Sequence, residues 1–191
     1  METRRAEIIE AALKVVCAGG LRELTTKRLA AEVGLSEAAL YRHFASKADI
    51  VIAIAGEVER CRDDIFAEAE LRGESAAAAL ELFFAAHVRH FIARPHLTGV
   101  FFSEDLFCAS EDLNHRMLGM MRGTIYRISA VINGGQKAGL FRKTVQAEQA
   151  ALGLIGGFRF LLTQWRMDGM TGDLAADTSV FVKSFIKLIQ E

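Results

Sequence analysis

The chain has 191 residues, enough for one domain with a substantial core or for a small module fused to a larger one, and too few for two large domains. Apolar residues make up 51% of it and there is a single proline, a composition that favours an almost all-helical protein over a strand-rich one. The formal net charge of -1 gives the whole molecule no electrostatic footprint for nucleic acid, so a DNA partner has to be argued from local features.

In chain order, Ile8, Ile9, Ala12, Leu13 and Val16 recur at helical spacing and predict a first helix that stops near Gly19 and Gly20. Its start, METRRAEIIEAALKVV, is broken by charges and lacks an apolar signal core. No stretch reaches membrane-spanning length without charge, so a cytoplasmic protein with no membrane partner is expected. Cys17, Cys61 and Cys108 are odd in number, widely spaced and without a CxxC pair, which argues against a disulfide framework or a zinc site. A second helix is predicted from Thr26 to Val33, with Thr25 as its cap and Gly34 in the left-handed conformation at its end. Ser36 then caps a third helix, Glu37 to Phe44. Ser46 to Asp49 opens a long fourth helix with Ile50, Ile54, Val58, Cys61 and Ile65 on one face. Beyond Arg72 and Gly73 the pattern predicts helices at about 75 to 93, 96 to 107, 111 to 138, 145 to 168 and 177 to 190, with breaks at Pro95, Gly139 and Gly172.

Leu29 to Leu40, LAAEVGLSEAAL, fits a helix-turn-helix. Ala30 is small where two helices cross, Gly34 permits the tight turn, and Leu29, Val33, Leu35 and Leu40 join the helices. In such a motif the second helix enters the major groove with its N-terminal residues at base edges, here Ser36, Glu37, Ala38 and Arg42. Tyr41, His43 and Lys47 add donors around the following turn, where phosphates would lie. Residues 21 to 47 carry five Lys or Arg and three Glu, a balance of +2 in a chain of net -1. Charge therefore supports the motif only locally.

The segment LTTKRLAAEVGLSEAALYRHFASK, residues 24 to 47, resembles the signature of TetR-family repressors, and Leu40 to Phe44 followed by Lys47 is far more specific than a bare helix-turn-helix pattern. The resemblance covers residues 5 to 50. It implies an all-α fold: an N-terminal three-helix helix-turn-helix head, residues 1 to 48, joined by a long helix to a C-terminal helical ligand-binding and dimerisation domain, residues 49 to 191. By position, Thr26, Tyr41, His43 and Lys47 would touch phosphates, and Lys27, Ser36, Glu37, Ala38 and Arg42 would face bases or adjoining backbone. Glu37 would repel phosphate unless it accepts from a cytosine amino group, caps its own helix or pairs with a cation; capping is the reading favoured by its position.

In the C-terminal part, Phe83, Phe91, Phe102, Met117 and Met121 with the polar His87, His90, Tyr126 and Gln164 are the candidate ligand-binding set: apolar walls supply burial and a few polar groups fix orientation. Such side chains are individually more often ordinary core than pocket lining. His87 with His90, and Cys108 with Glu111 and His115, form no tight ligand set, so neither a metal nor a cofactor is expected. Leu152, Ile155, Gly156, Arg159, Phe160, Leu162 and Trp165 lie along one helix, and Phe181, Phe185 and Leu188 along the next. In the family the last two helices pair with their symmetry mates, so Leu152, Ile155, Gly156, Arg159, Leu162, Trp165, Phe181 and Phe185 are the candidate homodimer interface. No converging nucleophile, acid/base pair or metal group suggests an enzyme.

Together these readings predict a dimeric repressor of palindromic operator DNA released by a small apolar effector, with the fourth helix as the lever that changes the spacing of the recognition helices. The alternative is a ligand-independent DNA-binding protein with a nucleoid-organising or nucleoid-occlusion role.

Overall fold

The computed structural model describes residues 2–70, 75–101 and 103–190. Among these residues the secondary structure is helical apart from a single bridge between Phe141 and Gln190. The helices are α1 (Glu2–Gly19), α2 (Thr26–Glu32), α3 (Glu37–Tyr41), α4 (Lys47–Glu70), α5 (Ala76–Ala93), α6 (Leu97–Phe101), α7 (Glu104–Phe107), α8 (Glu111–Lys137), α9 (Ala147–Met167) and α10 (Leu174–Ile189), with a 3-10 turn at Leu21–Glu23. The expected all-α fold is the one observed.

Several boundaries differ from the sequence reading, each for a local reason. The third helix ends at Tyr41 rather than Phe44, because the backbone tightens: Arg42 N–H donates to Ala39 O and His43 N–H to Leu40 O, three residues back. The single helix expected at 96 to 107 is two, since Ser103 adopts an extended conformation and its hydroxyl accepts from Leu106 N–H, starting α7 afresh. In the same way Asp173 accepts from Ala176 N–H and starts α10 three residues before the predicted position.

The chain forms two compact units, divided differently from the expected boundary at residue 48. The first comprises the residues up to Cys61 together with Arg94–Met117, so α6, α7 and the start of α8 belong with the head helices. Its core is Ile8, Leu13, Val16, Leu24, Leu29, Leu40, Phe44, Ile50 and Ile54, closed by Leu97, Val100 and Leu106. Here α1 and α6 touch closely: a Cβ on Gly99 would stand 2.6 Å from Cys17 Cα. Arg94 ties α1 to α4, donating to Glu10 (2.7 Å) and Glu57 (3.0 Å). Burial works to raise the Glu57 carboxyl, and the Arg60 and Arg94 guanidiniums outweigh it, leaving the carboxyl below its ordinary value. Arg116 likewise makes two hydrogen bonds to Glu59, at 2.8 and 2.7 Å.

The second unit, Arg62–Ala93 with Leu118 onward, contains α5, α9, α10 and most of α8. Helix α5 is long and apolar enough to cross a membrane, but Leu80, Phe83, Phe84, Val88 and Phe91 place its apolar surface in this unit's core.

Candidate DNA interface and effector region

The head builds its motif from local backbone chemistry. Thr25 caps α2 by accepting from Arg28 N–H (3.1 Å), and Ser36 caps α3 by accepting from Ala39 N–H (3.1 Å). Between them Gly34 has φ of 66°, and the end of α2 is closed by Leu35 N–H to Ala30 O (2.8 Å) and Gly34 N–H to Ala31 O (3.2 Å). Nothing lies within 4 Å of a Cβ at Gly34, so the turn selects glycine for its conformation rather than for space. Ala39 and Leu40 face the core, which turns Ser36, Glu37, Ala38, Tyr41 and Arg42 outward, all of them exposed.

Of the other candidate DNA residues, Lys27 and Lys47 are exposed, and Thr26 and His43 are half-buried. Glu37 does not cap its own helix, as the sequence suggested; Ser36 does that, and the Glu37 carboxylate accepts from the Thr26 hydroxyl at 2.7 Å. The pairing ties the first residue of α2 to that of α3, and it occupies the Thr26 proton in the free protein. His43 Nδ1 is buried without a hydrogen-bond partner. Arg28 is neutralised by Glu23, and Lys14 takes up Glu32 at 2.6 Å, its hydrogen bond lowering the Glu32 carboxyl. Among the described residues Lys27, Arg42 and Lys47 have no ion pair. All three cations that the motif places toward DNA are thus without a carboxylate partner.

Two arginines that sequence reasoning passed over hold this surface together. Arg4 donates to Val33 O at 3.1 Å, and Arg5 donates to His43 O while its guanidinium lies 4.2 Å from the centre of the Phe44 ring. They fasten α1 to the ends of α2 and α3. Their only signal in the sequence is a pair of basic residues on the polar side of α1. Arg5, Tyr41, Arg42 and His43 border an open cleft of about 590 Å³ in the head.

In the second unit only part of the candidate ligand set converges. Phe83, His87 and Phe91 on α5 are buried, with ring centres 4.4 Å (Phe83 to His87) and 5.9 Å (His87 to Phe91) apart. Phe158 of α9 completes the cluster, 5.6 Å from His87 and 5.2 Å from Phe84. Burial lowers the His87 imidazole to about 4, against the opposing pull of its hydrogen bond to Phe83 O (3.0 Å) and with a smaller lowering from His90. His87 is thus a neutral group donating its Nδ1–H. His90 is half-buried with Nε2 3.7 Å from Glu68. Met117 is half-buried in the first unit, whereas Met121, Tyr126 and Gln164 are exposed, Tyr126 to 75%. The buried side of α8 runs through Leu113, Met120, Ile128 and Ile132, leaving Met121 and Tyr126 off it. Phe102 lies outside the described residues.

The candidate dimer set also divides. Leu154, Phe158, Leu162 and Trp165 form the inner stripe of α9; Trp165 Nε1–H donates to Gly172 O at 3.1 Å. Leu162 and Trp165 are therefore covered within the protomer and do not join the outer face. Leu152 and Gly156 are exposed, Ile155 and Arg159 half-buried, and Phe160 is 63% exposed. Phe181 and Phe185 of α10 are half-buried because they lie against glycines: a Cβ on Gly157 would stand 2.2 Å from the Phe181 ring, and one on Gly153 3.1 Å from Phe185.

Residues 8–54 match the family described as bacterial regulatory proteins, tetR family, and residues 56–188 match the C-terminal region of YsiA-like proteins. The chain belongs to the TetR family. Across most of its length it is similar to the fatty acid metabolism regulator protein of Bacillus subtilis, 22% identical over 177 residues that cover 89% of this chain and 87% of that one. A 45-residue stretch of the chain is similar to the nucleoid occlusion factor SlmA of Escherichia coli O1:K1 / APEC, 56% identical and covering 23% of each chain. The fold is shared with the transcriptional regulator FadR from Bacillus subtilis in complex with stearoyl-CoA, with a TM-score of 0.73 and 20% identity, covering 97% of this chain and 99% of that one. A TetR-family chain is a DNA-binding regulator rather than an enzyme, and the helix-turn-helix described above is its DNA-binding part.

Proposed function

We propose that this TetR-family regulator is a repressor that binds palindromic operator DNA as a homodimer and is released by a small, largely apolar effector. The observation that carries the reading is the outward surface of α3 and its flanks, where Lys27, Arg42 and Lys47 stand without ion pairs beside Tyr41 on a fully capped helix-turn-helix. Uncompensated cations release counterions when they meet phosphates, while Ser36, Glu37, Ala38 and Arg42 supply the groups that reach base edges. Thr26 and His43 complete the phosphate contacts, the first after exchanging its Glu37 partner for a phosphate oxygen through its own proton.

Dimerisation through α9 and α10 follows from the apolar side chains left on their outer faces, Leu152, Ile155, Phe160, Phe181, Phe185 and Leu188, beside Gly156 and Arg159. The effector is an amphipathic molecule with a long apolar part, and a fatty acyl thioester is the first to test, because a similar regulator was solved with stearoyl-CoA. The buried ring cluster Phe83, His87, Phe91 and Phe158 is the apolar region that opens to admit it, His87 offering a neutral polar group. Helix α4, continuous from the head into the second unit, transmits the change. The likeness to nucleoid occlusion factors covers 23–32% of the chain, whereas the likeness to the fatty acid metabolism regulator covers 89%, which favours the ligand-responsive reading over the ligand-independent one.

The test is linkage. An acyl thioester is titrated into free protein and into the protein-operator complex, and its affinity falls in the complex by the same factor as it weakens operator binding. Equal affinity in both rejects the effector role even where the ligand binds.

A further inference from the structure

We infer that the cleft between α5 and α10 is a binding site for a lipophilic organic cation. The two helices pack along one another but leave an opening of about 540 Å³, the size of a small-molecule site. Its walls are apolar, formed by Leu82, Phe84 and Val88 of α5 and Val182 of α10.

Four polar residues line the same cleft, Ser179 at its exposed rim and three others whose states differ. The Arg89 guanidinium is taken up by Glu68, so its charge is already compensated. Glu81 is half-buried and, among the described residues, has neither an ion pair nor a hydrogen-bond partner. Thr178 is 1% exposed, and its hydroxyl is buried without a partner. The cleft thus presents an apolar surface carrying one uncompensated negative charge, with an unsatisfied hydroxyl buried in its wall.

That combination selects among ligand classes. An anion meets the Glu81 carboxylate with no free cation to offset it. A purely apolar ligand covers Glu81 without giving it a partner, at the cost of desolvating the carboxylate. A protonated amine on an apolar body removes that cost: its N–H donates to the carboxylate, and its body lies against Leu82 and Ile92. The inference concerns binding by the free protein and does not depend on the repressor reading.

Three ligands sharing one phenylbutyl body separate the charge from the apolar contribution: 4-phenylbutan-1-amine, 4-phenylbutan-1-ol and 4-phenylbutanoate, each titrated into the full-length protein by chemical-shift perturbation. The amine is expected to bind about tenfold more tightly than the alcohol, a factor equal to about 1.4 kcal/mol, with the carboxylate weakest. Glu81→Gln should bring the amine down to the level of the alcohol and leave the alcohol unchanged. Ser179→Trp, on the rim, should abolish binding of all three while helicity and melting stay those of the parent; if that variant fails to fold, Ala175→Leu serves instead. Equal binding of amine and alcohol, an amine preference that survives Glu81→Gln, or full binding in the folded rim variant overturns the assignment.

Discussion

At Lys47 and Tyr41 the proposed contacts are to phosphates, which carry no sequence information. Lys47→Ala should weaken binding to every operator sequence alike and reduce the salt slope by about one phosphate's worth, and Tyr41→Phe should weaken it through the lost hydroxyl. Titrations at several salt concentrations check this; an unchanged slope removes Lys47 from the interface. His87 tests the buried ring cluster in another way. Its imidazole titrates near 6.5 when unfolded and at about 4 when folded, so between these values the unfolded chain binds more protons. Stability is complete above pH 6.5 and is lost as pH falls toward 4, with a loss of about 2 kcal/mol already at pH 5. Denaturant melts at pH 7.5 and pH 5 should therefore show a fall that His87→Leu largely removes. Chemistry of this local kind was legible at Thr25, Gly34 and Ser36, where cap and turn residues act on their own backbone. It was not legible at Glu37, whose partner Thr26 is brought to it only by the crossing of two helices.

The helices themselves show how periodicity informs and where it stops. The long α4, α8 and α9 followed from apolar spacing, because one face of each must be buried. The break between α6 and α7 did not, since Ser103, Glu104 and Asp105 also fit the polar side of one continuous helix and the capping role of Ser103 appears only once the backbone turns. Richness in Met and Phe likewise announced a core without saying which side of α8 entered it, so Met120 is buried and its neighbour Met121 is not. Glycines give a measurable contrast between elements. Gly99→Ala places a methyl 2.6 Å from the Cys17 backbone, where no side chain can swing away, and should destabilise by about 1–3 kcal/mol. Gly123→Ala on α8 meets nothing within 4 Å and should stabilise by roughly 0.5–1 kcal/mol through helix propensity. Denaturant midpoints of the two variants, measured together, should move in opposite directions.

For the whole molecule, the sequence separated a head from the rest but drew the line after residue 48, whereas Arg94–Met117 packs with the head. That grouping depends on long-range contacts, such as Arg94 to Glu10 and Gly99 to Cys17, which no local pattern encodes. The homodimer is testable at Phe160, exposed in the protomer, rather than at Trp165, which its own chain covers. Phe160→Glu should yield a monomer in sedimentation with helicity intact, and with it a loss of operator affinity, since two recognition helices held about 34 Å apart are needed to span successive major grooves. Sequence-specific DNA binding by the α3 surface is read out by selecting genomic fragments bound by the purified protein and footprinting them. The expected result is a small set of fragments sharing a palindrome with half-sites one or more helical turns apart, lost with Arg42→Ala and recovered in lower yield with Lys47→Ala in folded protein. Fragments recovered without a common sequence, or recovered equally by those variants, would contradict it.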